Sequence, residues 1–186
     1  MSSRLPAYIL AGGASSRFGS DKARAVVGGE QLILRVASGL SEATERVVVA
    51  AEAGEYADLG LTTIGDKRPG AGPLGGLEAA LHHCDSPRLL LVSCDLVRTS
   101  WRWVERLDAA IGDALAAAWR TPAGWEPLFA VYDCRIESLV RQRLDAGLGS
   151  LQSLLDDAPA VGVDLPPDWP SPAQINTRAD LKAVTG

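Results

Sequence analysis

The stretch Leu10-Ala11-Gly12-Gly13-Ala14-Ser15-Ser16-Arg17-Phe18-Gly19-Ser20-Asp21-Lys22 gathers the residue types best suited to chemistry. Glycines that directly follow an apolar run let backbone N–H groups approach an anion with no Cβ in the way, and such a nest carries a positive field. Arg17 and Lys22 add two cations to it. These types suit a phosphate-bearing ligand. The spacing is neither that of a Walker loop, because no GK[ST] follows, nor that of a GxGxxG dinucleotide loop. A plainer alternative is a turn at Gly12 and Gly13 with Arg17 and Lys22 solvated. Asp95 ends a second apolar run, RLLLVSCD, which puts a carboxylate at the mouth of a strand. A hard oxygen ligand there suits magnesium, which takes one or two carboxylates and completes its shell with substrate phosphates. The alternative is a cap for a helix starting near Trp101. Asp66 precedes a Pro-Gly-Ala-Gly-Pro stretch suited to a loop over a ligand, or is simply a turn residue.

Other candidates carry less. His82 and His83 are adjacent, and neighbours on a helix point about 100° apart, so they do not close on one ion. No serine, histidine and aspartate arrangement suggests acyl transfer. Trp125, in a predicted loop, has a ring that suits stacking on a flat ligand, or packs the core edge instead.

Elements that position these residues are legible in the apolar pattern. Ala7 to Ala11, Val47 to Ala51, Leu61 to Ile64 and Leu89 to Ser93 are short apolar runs bounded by turn residues and predict buried strands. Gln31 to Leu40 and Leu74 to His83 have helical period between them. Strand alternating with helix predicts an α/β fold, three-layered, with a mainly parallel twisted sheet and helices on both faces. Such sheets bind ligands beyond the carboxyl ends of their strands. The second half predicts a helix over Trp101 to Ile111, strands over Leu115 to Trp119 and Pro127 to Tyr132, and a helix over Ile136 to Leu144. LPPDWPSP, from Leu165 to Pro172, reads as a proline-rich loop.

The 186 residues are expected to form a single domain, 1–186. With 47% hydrophobic and 22% charged residues the composition is that of a globular protein with a sizeable core. A net charge of -5 argues against coating nucleic acid, though not against a small phosphorylated ligand. Among 18 Lys and Arg only Lys22, Lys67 and Lys182 are lysines, which draws attention to the one kept in the glycine-rich loop. Cys84, Cys94 and Cys134 have no CxxC spacing and suggest neither disulfides nor zinc, so a cytoplasmic location is expected. No apolar run approaches the ~20 residues of a membrane span, so no membrane partner is expected.

The string LAGGASSRFGSDK resembles the nucleotide-binding signature of nucleotidyltransferases, specifically the molybdenum cofactor guanylyltransferase family, whose pattern is LAGG, a variable trio, R, M or F, G, and DK. Asp66 through Leu77 is similar to that family's D, spacer, GPLxG segment, and Leu90 through Asp95 to its strand ending in a metal-binding Asp. Glu126-Pro127-Leu128-Phe129-Ala130 stands where the family has an HPL-like segment, and Ile175-Asn176-Thr177-Arg178-Ala179-Asp180-Leu181 where it has NxNTPxDL. The resemblance implies a nucleotidyltransferase that moves GMP from GTP to molybdopterin and releases pyrophosphate. In it Leu10, Ala11, Gly12 and Gly13 bind the nucleotide by backbone, Lys22 and Arg17 neutralise phosphates, Asp66 contacts the nucleotide, and Asp95 holds Mg2+. Small-molecule substrates, with transient contact to molybdoenzymes or their chaperones, are the implied partners.

Two departures stand out: Gln174 replaces the first Asn of the pair, and Ala50 and Ala51 stand where the family often carries Asn. Thr177 and Asp180 have the spacing of a capping box, which leaves Asn176 for the site. Alternatives are a relative using CTP or another NTP with the pterin or with a phosphorylated sugar or alcohol, and a non-catalytic nucleotide-binding carrier of the cofactor. Gly12 favours a purine, since many cytidylyltransferases read LAAG there.

Overall fold

Apolar runs covered on both faces set the frame of the molecule. A computed structural model describes residues 4–11, 21–177 and 180. In chain order the elements are β1 (Ala7–Leu10), β2 (Val26–Val27), β3 (Glu30–Gln31), α1 (Leu32–Ser41), β4 (Val47–Ala50), β5 (Thr62–Ile64) and α2 (Gly72–His83). They continue with β6 (Arg88–Ser93), α3 (Trp101–Ile111), β7 (Ala116–Thr121), β8 (Gly124–Asp133), α4 (Glu137–Asp145), α5 (Leu151–Asp157) and β9 (Ala160–Asp164). Seven strands form one sheet in the order β5-β4-β1-β6-β8-β7-β9, and β2 and β3 make a separate hairpin.

The pairings make β5, β4, β1 and β6 parallel, β8 antiparallel to both β6 and β7, and β9 parallel to β7. Among the described residues, β8 is thus the sheet strand that runs against the rest. Its amino end therefore lies at the edge where the other strands have their carboxyl ends. The mainly parallel sheet expected from the sequence is present, and its carboxyl edge receives residues from β8 as well.

Side chains alternate along β6: Leu90 and Val92 enter one core, Leu89 and Leu91 the other. The first core holds Ile33, Val36, Ala37 and Leu40 of α1 with Trp103, Val104, Leu107 and Ile111 of α3. The second holds Leu74, Leu77, Ala80 and Leu81 of α2, Val140 of α4, and Leu151, Leu154 and Leu155 of α5. Helices on both faces explain why the strands read as continuous apolar runs rather than alternating ones.

Gly76 lets α2 approach closely. A Cβ there would stand 2.7 Å from Leu10 Cδ2, so the GPLGG segment brings the helix down onto the root of the glycine-rich loop. Described elements include no helix long and apolar enough to cross a membrane.

Candidate active site

The site is built where β1 and β6 end side by side. Leu10 is in register with Ser93, and Cys94 N–H donates to Leu10 O at 3.1 Å. Asp95 thus emerges directly beside the start of the glycine-rich loop. Gly12, Gly13 and Arg17 lie outside the described residues, which leave the root of the loop, Leu10 and Ala11, and its exit, Asp21 and Lys22. At the root the Ala11 N–H already donates to Ala50 O at 3.1 Å. Backbone binding by that particular amide, implied by the resemblance, is therefore preempted by the sheet.

Lys22 opens a single 3-10 turn, Lys22–Arg24, whose backbone is pinned on both sides. Asp21 caps the turn by accepting from Ala23 N–H at 2.9 Å, and accepts the Tyr56 hydroxyl at 3.1 Å. Arg24 binds Asp58 through two nitrogens at 2.8 and 2.9 Å and donates to Glu55 O at 2.7 Å. This brace fixes where the Lys22 side chain begins.

From there its ammonium donates to Asp95 Oδ2 at 2.5 Å and to Asn176 Oδ1 at 2.8 Å. The two charged side chains are only 15% and 11% exposed. Asp95 Oδ1 is buried and has no hydrogen-bond partner among the described residues. Buried polar atoms are nearly always paired, so this carboxylate oxygen calls for a partner beyond the described residues. Cys94, next to it, is pushed up to about 12 by burial and then by the Asp95 charge. It remains a neutral thiol near pH 7.

Asn176 arrives on a strap that pairs with the chain just past β6. Val97 N–H donates to Ala173 O at 3.0 Å, Ile175 N–H to Asp95 O at 2.9 Å, and Leu96 bridges Gln174. The capping box is formed: Asp180 Oδ2 accepts from Asn176 N–H at 2.9 Å and from Thr177 N–H at 2.7 Å, while Asp180 N–H donates to Thr177 Oγ1 at 3.1 Å. Those backbone donors hold the Asp180 carboxyl below the usual range.

One carboxylate was not singled out by sequence. Glu126, at the amino end of β8, accepts from Gln174 Nε2 at 3.2 Å. Burial, and then the charge of Asp95, raises its carboxyl above the usual range. The available signal was its place at the head of the EPLFA segment. Asp66 follows β5, three strands from β6, or about 14 Å by strand spacing. Among the described residues no hydrogen bond joins it to Lys22 or Asp95, and burial raises its carboxyl.

The stacking role considered for Trp125 is not supported. Its indole donates to Asp156 at 2.8 Å, and the Arg120 guanidinium sits 4.2 Å from the ring centroid. His83 Nδ1 is hydrogen-bonded to the Tyr8 hydroxyl at 3.0 Å, in keeping with a structural role. No group of three or more His, Cys, Asp or Glu poised for a metal occurs among the described residues. A cation here would draw on Asp95 and a substrate.

The described residues set an ammonium beside a carboxylate at the carboxyl edge of the sheet, groups whose chemistry suits an anionic ligand and a hard cation. A family model described as MobA-like NTP transferase domain matches residues 7–161. A probable molybdenum cofactor guanylyltransferase of Deinococcus radiodurans is 43% identical over 145 residues, 77% of this chain and 75% of that protein. A molybdenum cofactor guanylyltransferase of Sinorhizobium fredii is 33% identical over 199 residues, covering 97% and 90%. A solved structure, molybdopterin-guanine dinucleotide biosynthesis protein A of Archaeoglobus fulgidus, has the same fold, with a TM-score of 0.83 over 97% of each chain at 21% identity. By the span of the matched domain and the identity to these relatives, the chain belongs to the MobA-like NTP transferase family.

Proposed function

We propose that this chain, acting as one domain, transfers GMP from GTP to the phosphate of molybdopterin, giving the guanine dinucleotide form of the cofactor. An oxygen of the pterin phosphate forms a bond to the α-phosphorus of GTP as the bond to pyrophosphate breaks. The reading is carried by the Lys22–Asp95 pair at the carboxyl edge beside the glycine-rich loop, in a chain whose relatives are named molybdenum cofactor guanylyltransferases.

Chemistry of this kind needs positioning and charge stabilisation more than covalent help. Lys22 offsets charge on the phosphates, and Gly12, Gly13 and Arg17 extend the same positive field. Asp66 meets the nucleotide from the far side of the sheet edge.

A magnesium ion fits the residues present. Asp95 Oδ1 is buried with no partner among the described residues, and Asp95, Asn176 and Glu126 offer only hard oxygens and amides. When bound, Mg2+ would supply Lewis-acid polarisation of a phosphate oxygen, held by Asp95. The protein would work in the cytoplasm and hand its product to molybdoenzymes or their chaperones.

The test is incubation with each of the four NTPs, Mg2+ and molybdopterin, with products resolved by mass and pyrophosphate measured. GTP is expected over CTP and ATP by roughly tenfold or more in kcat/KM, one unmet hydrogen bond being worth ~1 to 3 kcal/mol. Equal use of CTP would turn the assignment to cytidylyl transfer. Binding without pyrophosphate release would leave a carrier.

A further inference from the structure

Glu126 and Gln174 are 48 positions apart and meet at the site. Their contact is the first link of a chain of polar groups. Gln174 Nε2 donates to Glu126 Oε1 at 3.2 Å, Asn176 Nδ2 to Gln174 Oε1 at 3.5 Å, and Lys22 Nζ to Asn176 Oδ1 at 2.8 Å. The two ends of this chain are each of one kind. A carboxylate only accepts, and an ammonium only donates.

The two carboxamides between them each have an accepting and a donating end. With Glu126 accepting, Gln174 must turn its NH2 toward it and its oxygen toward Asn176. Asn176 must then turn its NH2 to Gln174 and its oxygen to Lys22. Reversing both amides would set an NH2 against the ammonium and an oxygen against the carboxylate. One arrangement satisfies every member.

The fold provides for Glu126 specifically. Along the β7–β8 ladder Ala118 pairs with Ala130, but the next residue, Trp119, pairs with Glu126. Pro127, Leu128 and Phe129 are passed over, so β8 carries a bulge of three residues. Pro127 has no N–H to lose there, and its carbonyl accepts the Tyr132 hydroxyl at 3.0 Å. Bulges near active sites re-aim side chains, and an unbroken ladder would have set Phe129 opposite Trp119.

Gln174 is also one of the chain's departures from the family pattern, and this contact gives the longer side chain a partner. We infer that Glu126 is a positioning residue, fixing through Gln174 the orientation in which the Asn176 amide turns its oxygen to Lys22.

The kinetic arm of the test rests on the proposed guanylyl transfer; the spectroscopic arm does not. In 15N-labelled protein the side-chain NH2 resonances of Asn176 and Gln174 are assigned by their loss in Asn176→Asp and Gln174→Glu. Glu126→Ala is expected to shift the Asn176 pair, and Glu126→Gln, which keeps an accepting oxygen, to restore it. Glu126→Ala should lower kcat roughly tenfold, with KM for GTP changed less than about twofold. In an Asn176→Asp background both side-chain oxygens accept, so there is no amide orientation left to fix, and the same Glu126→Ala should cost less than about twofold.

If Glu126→Ala fails to fold by far-UV circular dichroism, Gln174→Ala cuts the same link from the strap and must shift the Asn176 pair. Unmoved Asn176 resonances in a folded variant overturn the inference, as does an equal kinetic loss in the Asn176→Asp background. A wild type that transfers nothing from GTP sinks the functional reading, and the resonances then decide the positioning role alone.

Discussion

An ammonium held between a carboxylate and a carboxamide is partly neutralised before any substrate arrives. Lys22 and Asp95 therefore have linked fates. Asp95→Ala should abolish pyrophosphate release with far-UV circular dichroism unchanged, since Lys22 keeps Asn176 as a partner; a folded variant with near-normal rate would remove Asp95 from the metal role. Lys22→Ala should lower kcat by about 10²- to 10³-fold, roughly 3 to 4 kcal/mol, with a smaller change in KM for GTP. A change confined to KM would mean Lys22 binds ground and transition states alike. Both residues were legible because each closes a recognisable local run. Glu126 and Tyr56 were not, because their partners lie 48 and 35 positions away. Such contacts follow from strand order and a bulge, and neither leaves a local pattern.

At the scale of elements, apolar runs predicted β1, β4, β6 and the first three long helices within a few residues, because each buries an apolar face against its neighbours; the run over Leu61 to Ile64 does form β5, but as an exposed to half-covered edge strand rather than a buried one. The β2–β3 hairpin, α5 and β9 were not anticipated. β9 is an edge strand with Gly162 in it and residues only half-covered, so its pairing with β7 decides its structure more than its own composition does. The end of α3 shows the reverse case, a local signal with a clear consequence. Gly112 stops the helix at φ 52° and ψ −125°, a region that costs a side chain about 1 to 3 kcal/mol. Its carbonyl also accepts from Arg88 Nη2 at 2.6 Å. Gly112→Ala should lower stability by about that amount in urea unfolding, with m unchanged. An unchanged midpoint would mean the turn relaxes to negative φ without loss.

The whole molecule directs its chemistry to one edge. Six strands end there, β8 begins there, and the segment after β9 returns across β7 and β8 to reach Asp95. That return is anchored midway by Trp169, whose ring centroid lies 4.8 Å from that of Trp103, 6.0 Å from Trp119 and 5.9 Å from Phe129. Asp168 adds a bond from the Trp103 indole at 3.0 Å and an ion pair with Arg98. The strap beyond carries Gln174 and Asn176, so anchoring at the aromatic cluster should control how long Asn176 stays on Lys22. Trp169 is only partly buried, so truncating it should cost less than the ~3 to 5 kcal/mol of a core tryptophan. The loss should fall mainly on opening of the strap, because β1, β4 and β6 keep their own ladders. In Trp169→Ala, hydrogen exchange at the Val97 and Ile175 amides, which donate across the strap, should quicken roughly 10- to 100-fold for ~1.4 to 2.8 kcal/mol of local stability. Amides of β1 and β4 should change far less, and kcat should fall as Asn176 spends time away from Lys22. Uniform quickening through the sheet would show that the strap opens only with the whole fold, and fast strap exchange with undiminished kcat would separate Asn176 from turnover.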